Sequence, residues 1–191
     1  MHYRSYRFLT PLIMVLTWAN MEAQTSHPVP RLVVNVTIDQ LRTDYMEAFS
    51  SLFGAGGFNK VMRDGRSYMD AAYPFSHIDR ASAVACIMTG TVPYDNGIVG
   101  GRWMDRKTLR PMYCVDDTAC EGWLTSEKYS PVALNVSTVT DELKMATGGR
   151  ALVYSIAPDA DAAILAAGHA ADGAFWIDNA SGQWSSTSYY G

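Results

Sequence analysis

The spacing of hydrophobic and polar residues predicts alternating strands and helices along the first half of the chain. The run 31–39, "RLVVNVTID", is β-branched without clean alternation, which is typical of a parallel strand buried on both faces. Helical spacing follows in 43–53 and in "GGFNKVMRDG", and "RSYMDAAYP" resembles a weak strand. A further helix is predicted over 79–89, where one apolar stripe contains Ala81, Val84, Ala85 and Met88.

The second half continues the alternation after a loop-rich stretch at 99–131. Ser/Thr caps precede a helix in "STVTDELKMATGG", and two glycines end it. A buried-type strand at 150–156 leads into a helix in "PDADAAILAAGHA", and "GAFWIDNASGQWSSTSYYG" alternates on both sides of a turn, as a hairpin does. Strands that alternate with helices predict an α/β fold with a mostly parallel sheet between helices.

The N-terminal segment has the layout of a secretory signal peptide. Arg4 and Arg7 precede an apolar stretch from Phe8 to Ala19, and Met21-Glu22-Ala23 follows with a small residue at the expected cut before Gln24. We therefore expect residues 1–23 to be removed on export; the alternative is an uncleaved anchor, although the stretch is shorter than the roughly 20 residues of a membrane span. The rest, 24–191, is expected to be the N-terminal, incomplete portion of one α/β domain, since the chain stops directly after a predicted strand.

The charge and the cysteines of the chain bear on nucleic-acid binding, disulfide formation and zinc binding. A net charge of −4 with no basic run gives no sign of nucleic-acid binding. Cys114 and Cys120 bracket a short loop, so in an exported protein they form either a small disulfide or two separate thiols. Neither a Cys-x-x-Cys pair nor a Cys/His zinc spacing is present.

Two segments of the sequence contain candidate metal-binding or phosphate-binding residues. Asp39 ends the first predicted strand, where α/β proteins place ligands, so it is either a metal ligand or a helix N-cap. In "YPFSHIDRASAVACIMTG", Ser76 and Asp79 fit a capping box before the helix. The same helix start would suit a phosphate, with Arg80 as a bidentate donor; a solvated surface arginine is the alternative.

The motifs together resemble the alkaline phosphatase superfamily. "LVVNVTIDQLRTDYMEAF", "GGFNKVMRDG", "MTGTVPYDNGIVGGRW", "SPVALNVSTVTDELKMAT" and "AILAAGHAADGAFWIDNASGQW" are similar, in order, to segments of its type I phosphodiesterase/nucleotide pyrophosphatase branch and to exported, phosphate-irrepressible alkaline phosphatases of Bacteroidetes-type bacteria. The resemblance implies an alkaline-phosphatase-like core, two zinc ions and a Thr or Ser nucleophile. It implies that Asp39 is the first metal ligand; the remaining ligands of the family come from later parts of its chain.

The resemblance also identifies positions where this chain departs from the family. The family spacing, counted back from Gly90, places Arg80 where the nucleophilic alcohol is expected. Gly101 replaces an Asn, and Asp159 and Asp161 lie near a Lys and an Arg of the phosphatases, which all bind phosphoryl oxygens in the family. A shift of register would make Ser76 the attacking alcohol, with Arg80 serving the phosphate.

These residues predict an exported, metal-dependent phosphoric-ester hydrolase that resembles a phosphodiesterase, nucleotide pyrophosphatase or phosphatase. The expected partner is a small phosphate ester, and the expected location is the periplasm or cell envelope of a Gram-negative bacterium. Asp159 and Asp161 would repel a phosphomonoester dianion, which favours a diester. The alternative is a catalytically degenerate member of the family that acts as a cell-envelope binding or scaffold protein.

Overall fold

The computed structural model describes residues 30–191. Val34–Gly191 form one compact unit. The helices are α1 (Thr43–Ala48), α2 (Gly57–Asp64), α3 (Arg80–Thr89), α4 (Pro93–Asn96), α5 (Val139–Ala146) and α6 (Ala160–Ala167), with 3₁₀ turns at Ser50–Leu52 and Ser188–Tyr190. The strands are β1 (Arg102–Met104), β2 (Pro111–Tyr113), β3 (Gly122–Trp123), β4 (Tyr154–Ile156), β5 (Gly173–Ile177) and β6 (Trp184–Thr187).

The α/β class is confirmed. Helices and strands alternate from α5 to β5, whereas α1 to α4 follow one another with no strand between them. The larger sheet has the order β3-β6-β5-β4. Only β4 and β5 pair in parallel, with α6 as the crossover between them, whereas β5–β6 and β3–β6 are antiparallel. Within residues 30–191 the sheet is therefore mixed rather than mostly parallel, because the predicted hairpin adds antiparallel strands at one side.

The predicted strand at 31–39 is not formed. These residues are extended but pair with no strand in the described part of the chain. Val34, Val36 and Ile38 remain 72%, 73% and 49% exposed. A strand buried on both faces needs a neighbour on each side to complete its hydrogen bonds. Residues 66–74, predicted as a weak strand, are likewise irregular.

The helices that hold the core were predicted closely. Thr138 caps α5 in a capping box with Asp141, and Gly148 and Gly149 follow that helix with φ of 60° and 79°. Helices α3 and α6 pack together, and α6 also covers β4 and β5. Their buried faces are rich in small side chains, which lets the two helices approach closely; the buried residues include Ala81, Val84, Ala85, Ala160, Ala163 and Ile164.

No membrane-spanning helix is found among the described residues, since none combines the required length with a sufficiently apolar sequence. The predicted signal peptide, 1–23, lies outside the described residues.

Candidate active site

The starts of α3 and α6 bring the atypical residues of the sequence together. Arg80 is the first residue of α3. Asp159 is the N-cap of α6, and Asp161 lies in its first turn, directly after β4 ends. Because α3 packs against α6, these side chains from distant parts of the sequence meet at the carboxyl end of β4, the edge where α/β proteins bind ligands.

Arg80 is held by both aspartates. Its Nη1 lies 2.7 Å from Oδ2 of Asp159. Its Nε and Nη2 donate to Oδ1 and Oδ2 of Asp161, each over 3.1 Å, which is the fork geometry of a bidentate arginine–carboxylate pair. The predicted phosphate contact therefore has its donors engaged by carboxylates of the protein itself.

The two aspartates differ in exposure and in their other partners. The Asp161 side chain is only 4% exposed, and its Oδ1 also accepts the Ala162 N–H over 2.7 Å. The Asp159 side chain is 38% exposed and caps no backbone N–H of α6. Asp161 is thus part of the packed interior, whereas Asp159 faces solvent.

The pKa values of neighbouring groups reflect this arrangement. Burial alone would lower the pKa of Arg80, but its hydrogen bonds to Asp161, with the charges of both aspartates, raise that pKa above its usual value. Burial and then the charge of Asp161 raise the pKa of Tyr113, whose hydroxyl accepts the Asp161 N–H over 3.3 Å. Arg80 is a permanent cation and Tyr113 is neutral at neutral pH.

Asp79 connects the start of α3 to the chain beside Gly101. Its Oδ1 accepts the Ser82 N–H over 2.9 Å, and the Asp79 N–H donates to the Ser82 hydroxyl over 3.0 Å, which completes a capping box. Its Oδ2 accepts the Gly101 N–H over 2.5 Å. A Cβ at Gly101 would lie 3.5 Å from Asp79 and 3.8 Å from Asp161, so a side chain there would border the Arg80 cluster.

Replacing Asp79 with alanine is expected to lower the free energy of unfolding by about 1 kcal/mol at pH 7, the usual contribution of an N-cap. Burial raises the pKa of Asp79, but the hydrogen bonds from Ser82 and Gly101 outweigh it and leave that pKa below its usual value. Stability from the ionised carboxylate is therefore complete above about pH 4 and is lost as the pH falls through the folded pKa.

Urea unfolding of wild type and Asp79→Ala at several pH values between 7 and 3 measures this contribution. The matched control is Asp70→Ala, since Asp70 is an exposed acid in a turn. A stability difference that stays constant below pH 4 would contradict the role of the Asp79 carboxylate.

Ser76 lies outside the helix that it was predicted to cap. It is exposed, in the bend before α3, and Asp79 caps the helix instead. The prediction of a Ser76–Asp79 capping box is therefore wrong. The capping box is formed three residues later, by Asp79 as the N-cap and Ser82 in the first turn of α3. As the candidate nucleophile, Ser76 remains a prediction; it is an exposed residue four positions before Arg80 in sequence.

Asp39 is exposed at the end of the extended segment. Burial, and then electrostatic interactions with Cys86 and Asp39, raise the pKa of Tyr73 in the loop that leads into α3. The described residues contain no group of three or more His, Cys, Asp or Glu side chains that could hold a metal ion. Asp39 therefore remains a predicted ligand, and residues 30–191 alone do not form a two-metal centre.

Of the two alternatives for Cys114 and Cys120, a disulfide or two separate thiols, the structure has the two thiols. Cys114 is fully buried in the core, where burial raises its pKa. The Cys120 thiol instead approaches Asp117 Oδ2 at 3.4 Å, within the same loop. The two thiols are thus held in different surroundings, which explains why proximity in sequence did not produce a bridge.

Comparisons with known proteins agree with the resemblance in the sequence. The family model described as "Type I phosphodiesterase / nucleotide pyrophosphatase" matches residues 33–190. Alkaline phosphatase PhoV of Synechococcus elongatus is 40% identical over 164 residues, which cover 84% of this chain and 30% of PhoV. Alkaline phosphatase PafA of Elizabethkingia meningoseptica is 31% identical over 188 residues, which cover 96% of this chain and 34% of PafA.

Solved structures of an alkaline phosphatase also match the fold of this chain. The crystal structure of wild-type PafA matches with a TM-score of 0.75 and 31% identity, over 86% of this chain and 32% of that chain. A PafA mutant with one Thr-to-Ser change and Asn, Lys and Arg each changed to Ala matches with a TM-score of 0.74 and 34% identity. This chain thus spans about a third of the length of its relatives. It belongs to the type I phosphodiesterase/nucleotide pyrophosphatase family, in the alkaline phosphatase superfamily.

Proposed function

We propose that the complete protein hydrolyses phosphoric esters and prefers diesters to monoesters. The family supports hydrolysis, since the matching relatives are named alkaline phosphatases and the family is named for phosphodiesterases. The preference rests on the cluster at the position of the family's nucleophile, where one cation, Arg80, contacts two anions, Asp159 and Asp161.

The charge of this cluster distinguishes the two classes of ester. A phosphomonoester carries close to two negative charges at neutral pH, and a phosphodiester carries one. Like charges within a few ångströms repel by about 1 kcal/mol or more even in a polar environment. The net charge of −1 left on Arg80 with its two aspartates therefore opposes the monoester more strongly than the diester.

Ser76 is the proposed nucleophile. Its Oγ would form a bond to phosphorus as the bond to the leaving oxygen breaks, with the hydroxyl proton passing to solvent. Water would then attack phosphorus and release the phosphate product with the free Ser76 hydroxyl. The support is that Ser76 is an exposed residue in the bend before α3 and lies only four positions before Arg80 in sequence.

Metal dependence and export complete the proposal. Two zinc ions are expected by resemblance, with Asp39 as the candidate ligand in this part of the chain; when bound, such ions supply Lewis-acid activation of the nucleophile. The described residues alone do not form a metal centre, so Asp39 would need further ligands from outside residues 30–191. Export to the periplasm or cell envelope rests on the signal-peptide pattern of residues 1–23.

A second candidate function is binding without catalysis. The observation that favours it is the position of Arg80, which stands where the family has an alcohol and is held through Nη1 by Asp159 and through Nε and Nη2 by Asp161. In this case the protein would be a catalytically degenerate member of the family that serves the cell envelope as a binding or scaffold protein.

The two functions are separated by the turnover of an aryl phosphodiester and the matching aryl monoester. For the purified complete protein, loaded with zinc, we expect kcat/KM for the diester to exceed that for the monoester at least about tenfold. We also expect a chelator to abolish both activities.

Three outcomes are informative. A higher kcat/KM for the monoester would contradict the charge-based preference. Activity that persists after zinc is removed would contradict metal dependence. If the protein folds and binds zinc but hydrolyses neither the diester nor the monoester, the binding function is favoured.

A further inference from the structure

The two carboxylates that contact Arg80 differ in exposure and in the number of contacts they make with it. Asp161 contacts Nε and Nη2 of Arg80 and is 4% exposed, whereas Asp159 contacts Nη1 alone and is 38% exposed. A ligand oxygen that approaches from solvent therefore meets Asp159 first. Only the Nη1 contact can be exchanged without disturbing a buried carboxylate.

The other contacts of the two residues reinforce this difference. Asp161 is anchored on both sides: its carboxylate accepts the Ala162 N–H, and its own N–H donates to the hydroxyl of the half-buried Tyr113. Asp159 makes no capping hydrogen bond to the helix that it begins. Losing its contact with Arg80 thus leaves its carboxylate free to be hydrated by water, as exposed carboxylates are.

We infer that Asp159 is a specificity-determining residue that acts as an internal anion: a substrate oxygen must displace it from Nη1 of Arg80, while Asp161 keeps the guanidinium in place. Asp161 is then a positioning residue. The inference deepens the proposed function, because it names the residue that disfavours highly charged phosphate ligands. The ligand class is a phosphoryl group with low negative charge.

Gly101 borders the buried side of this cluster. A Cβ at this position would lie 3.8 Å from Asp161 Oδ2 and 3.5 Å from Asp79 Oδ2, which is ordinary van der Waals contact. The exposed side of the cluster is therefore that of Asp159.

Inorganic phosphate is the probe, and isothermal titration calorimetry of the complete protein is the measurement. We expect Asp159→Asn to bind phosphate at least about tenfold more tightly than wild type, because one negative charge is removed beside the ligand. Asp159→Ser should show the same gain and places another residue that is favoured at N-cap positions before α6, so it remains informative if Asp159→Asn folds poorly. The matched control is Asp64→Asn, which removes an acid paired with an arginine, Arg63, elsewhere on the surface.

Asp161→Asn tests the other half of the inference. It should not reach the phosphate affinity of Asp159→Asn, because Arg80 then loses the carboxylate that fixes Nε and Nη2. Equal phosphate affinity of wild type and both Asp159 variants, or a greater gain in Asp161→Asn, would overturn the inference. The measurement needs no turnover, so a gain in phosphate affinity without hydrolysis would contradict the proposed function alone.

Discussion

Turnover of an aryl phosphodiester should fall at least about 10³-fold when Ser76 is replaced by alanine in the complete protein. Nucleophile removal in enzymes that form covalent intermediates has effects of this size or larger. The loss should lie in kcat, because the Ser76 hydroxyl acts on phosphorus and not in holding the ester. Steady-state kinetics of the zinc-loaded protein measure it.

Ser67→Ala is the matched control for this substitution. Ser67 is also an exposed serine in an irregular segment of the same half of the chain, and its replacement should leave kcat within about twofold. Undiminished turnover in Ser76→Ala would remove Ser76 as the nucleophile. An active protein with that result would have to use another alcohol, and the register shift that assigns Ser76 would be wrong.

Replacing Gly168 with alanine should lower the free energy of unfolding by about 3 kcal/mol or more. Gly168 ends α6 with φ of 78° and ψ of −160°, a conformation that is essentially restricted to glycine and costs a residue with a side chain about 1–3 kcal/mol. In addition, a Cβ there would overlap Thr138 Oγ1 and lie 2.7 Å from Asp141 Oδ2. Neither group can move easily, because both belong to the buried capping box of α5.

The Asp141 carboxylate explains why this contact matters. Its Oδ1 accepts the N–H groups of His169 and Ala170 over 2.8 Å and 2.7 Å, so the start of α5 is bonded to the chain that follows α6. A side chain at Gly168 would push apart the two segments that this carboxylate joins. Urea unfolding monitored by circular dichroism measures the cost.

The matched control Gly182→Ala separates the cost of the backbone conformation from the cost of steric overlap with neighbouring side chains. Gly182, in the turn between β5 and β6, also has a positive φ, 68°, but nothing lies within 4 Å of a Cβ placed there. Its replacement should cost only the conformational term of about 1 kcal/mol. If Gly168→Ala and Gly182→Ala lower the free energy of unfolding equally, the side chains of the α5 capping box move aside for the added methyl group, and the predicted steric cost is wrong.

Local signals in the sequence predicted much of the fold. Helices α2, α3, α5 and α6 follow from apolar spacing and terminal caps, and the β5–β6 hairpin follows from alternation around its turn. These features depend on neighbours in sequence. The capping box at Asp79 was also visible as an Asp followed three residues later by Ser, although Ser76 offered a competing pattern.

Features that depend on distant partners were predicted poorly. The run 31–39 has the composition of a buried strand, but a strand forms only where a neighbour completes its hydrogen bonds, and residues 30–191 provide none. The sequence likewise placed Cys114 and Cys120 near each other, while packing put one thiol in the core and left the other beside Asp117.

The sequence by itself determined the α/β class, the family and the unusual residue at the position of the nucleophile, because these depend on order and spacing along the chain. Only the tertiary structure decided what Arg80 contacts. Its partners are some eighty residues away in sequence, and the separation of 81 positions to Asp161 is closed by the packing of α3 on α6. The geometry of that packing also made one aspartate buried and the other exposed, a difference in solvation that no spacing of residues encodes.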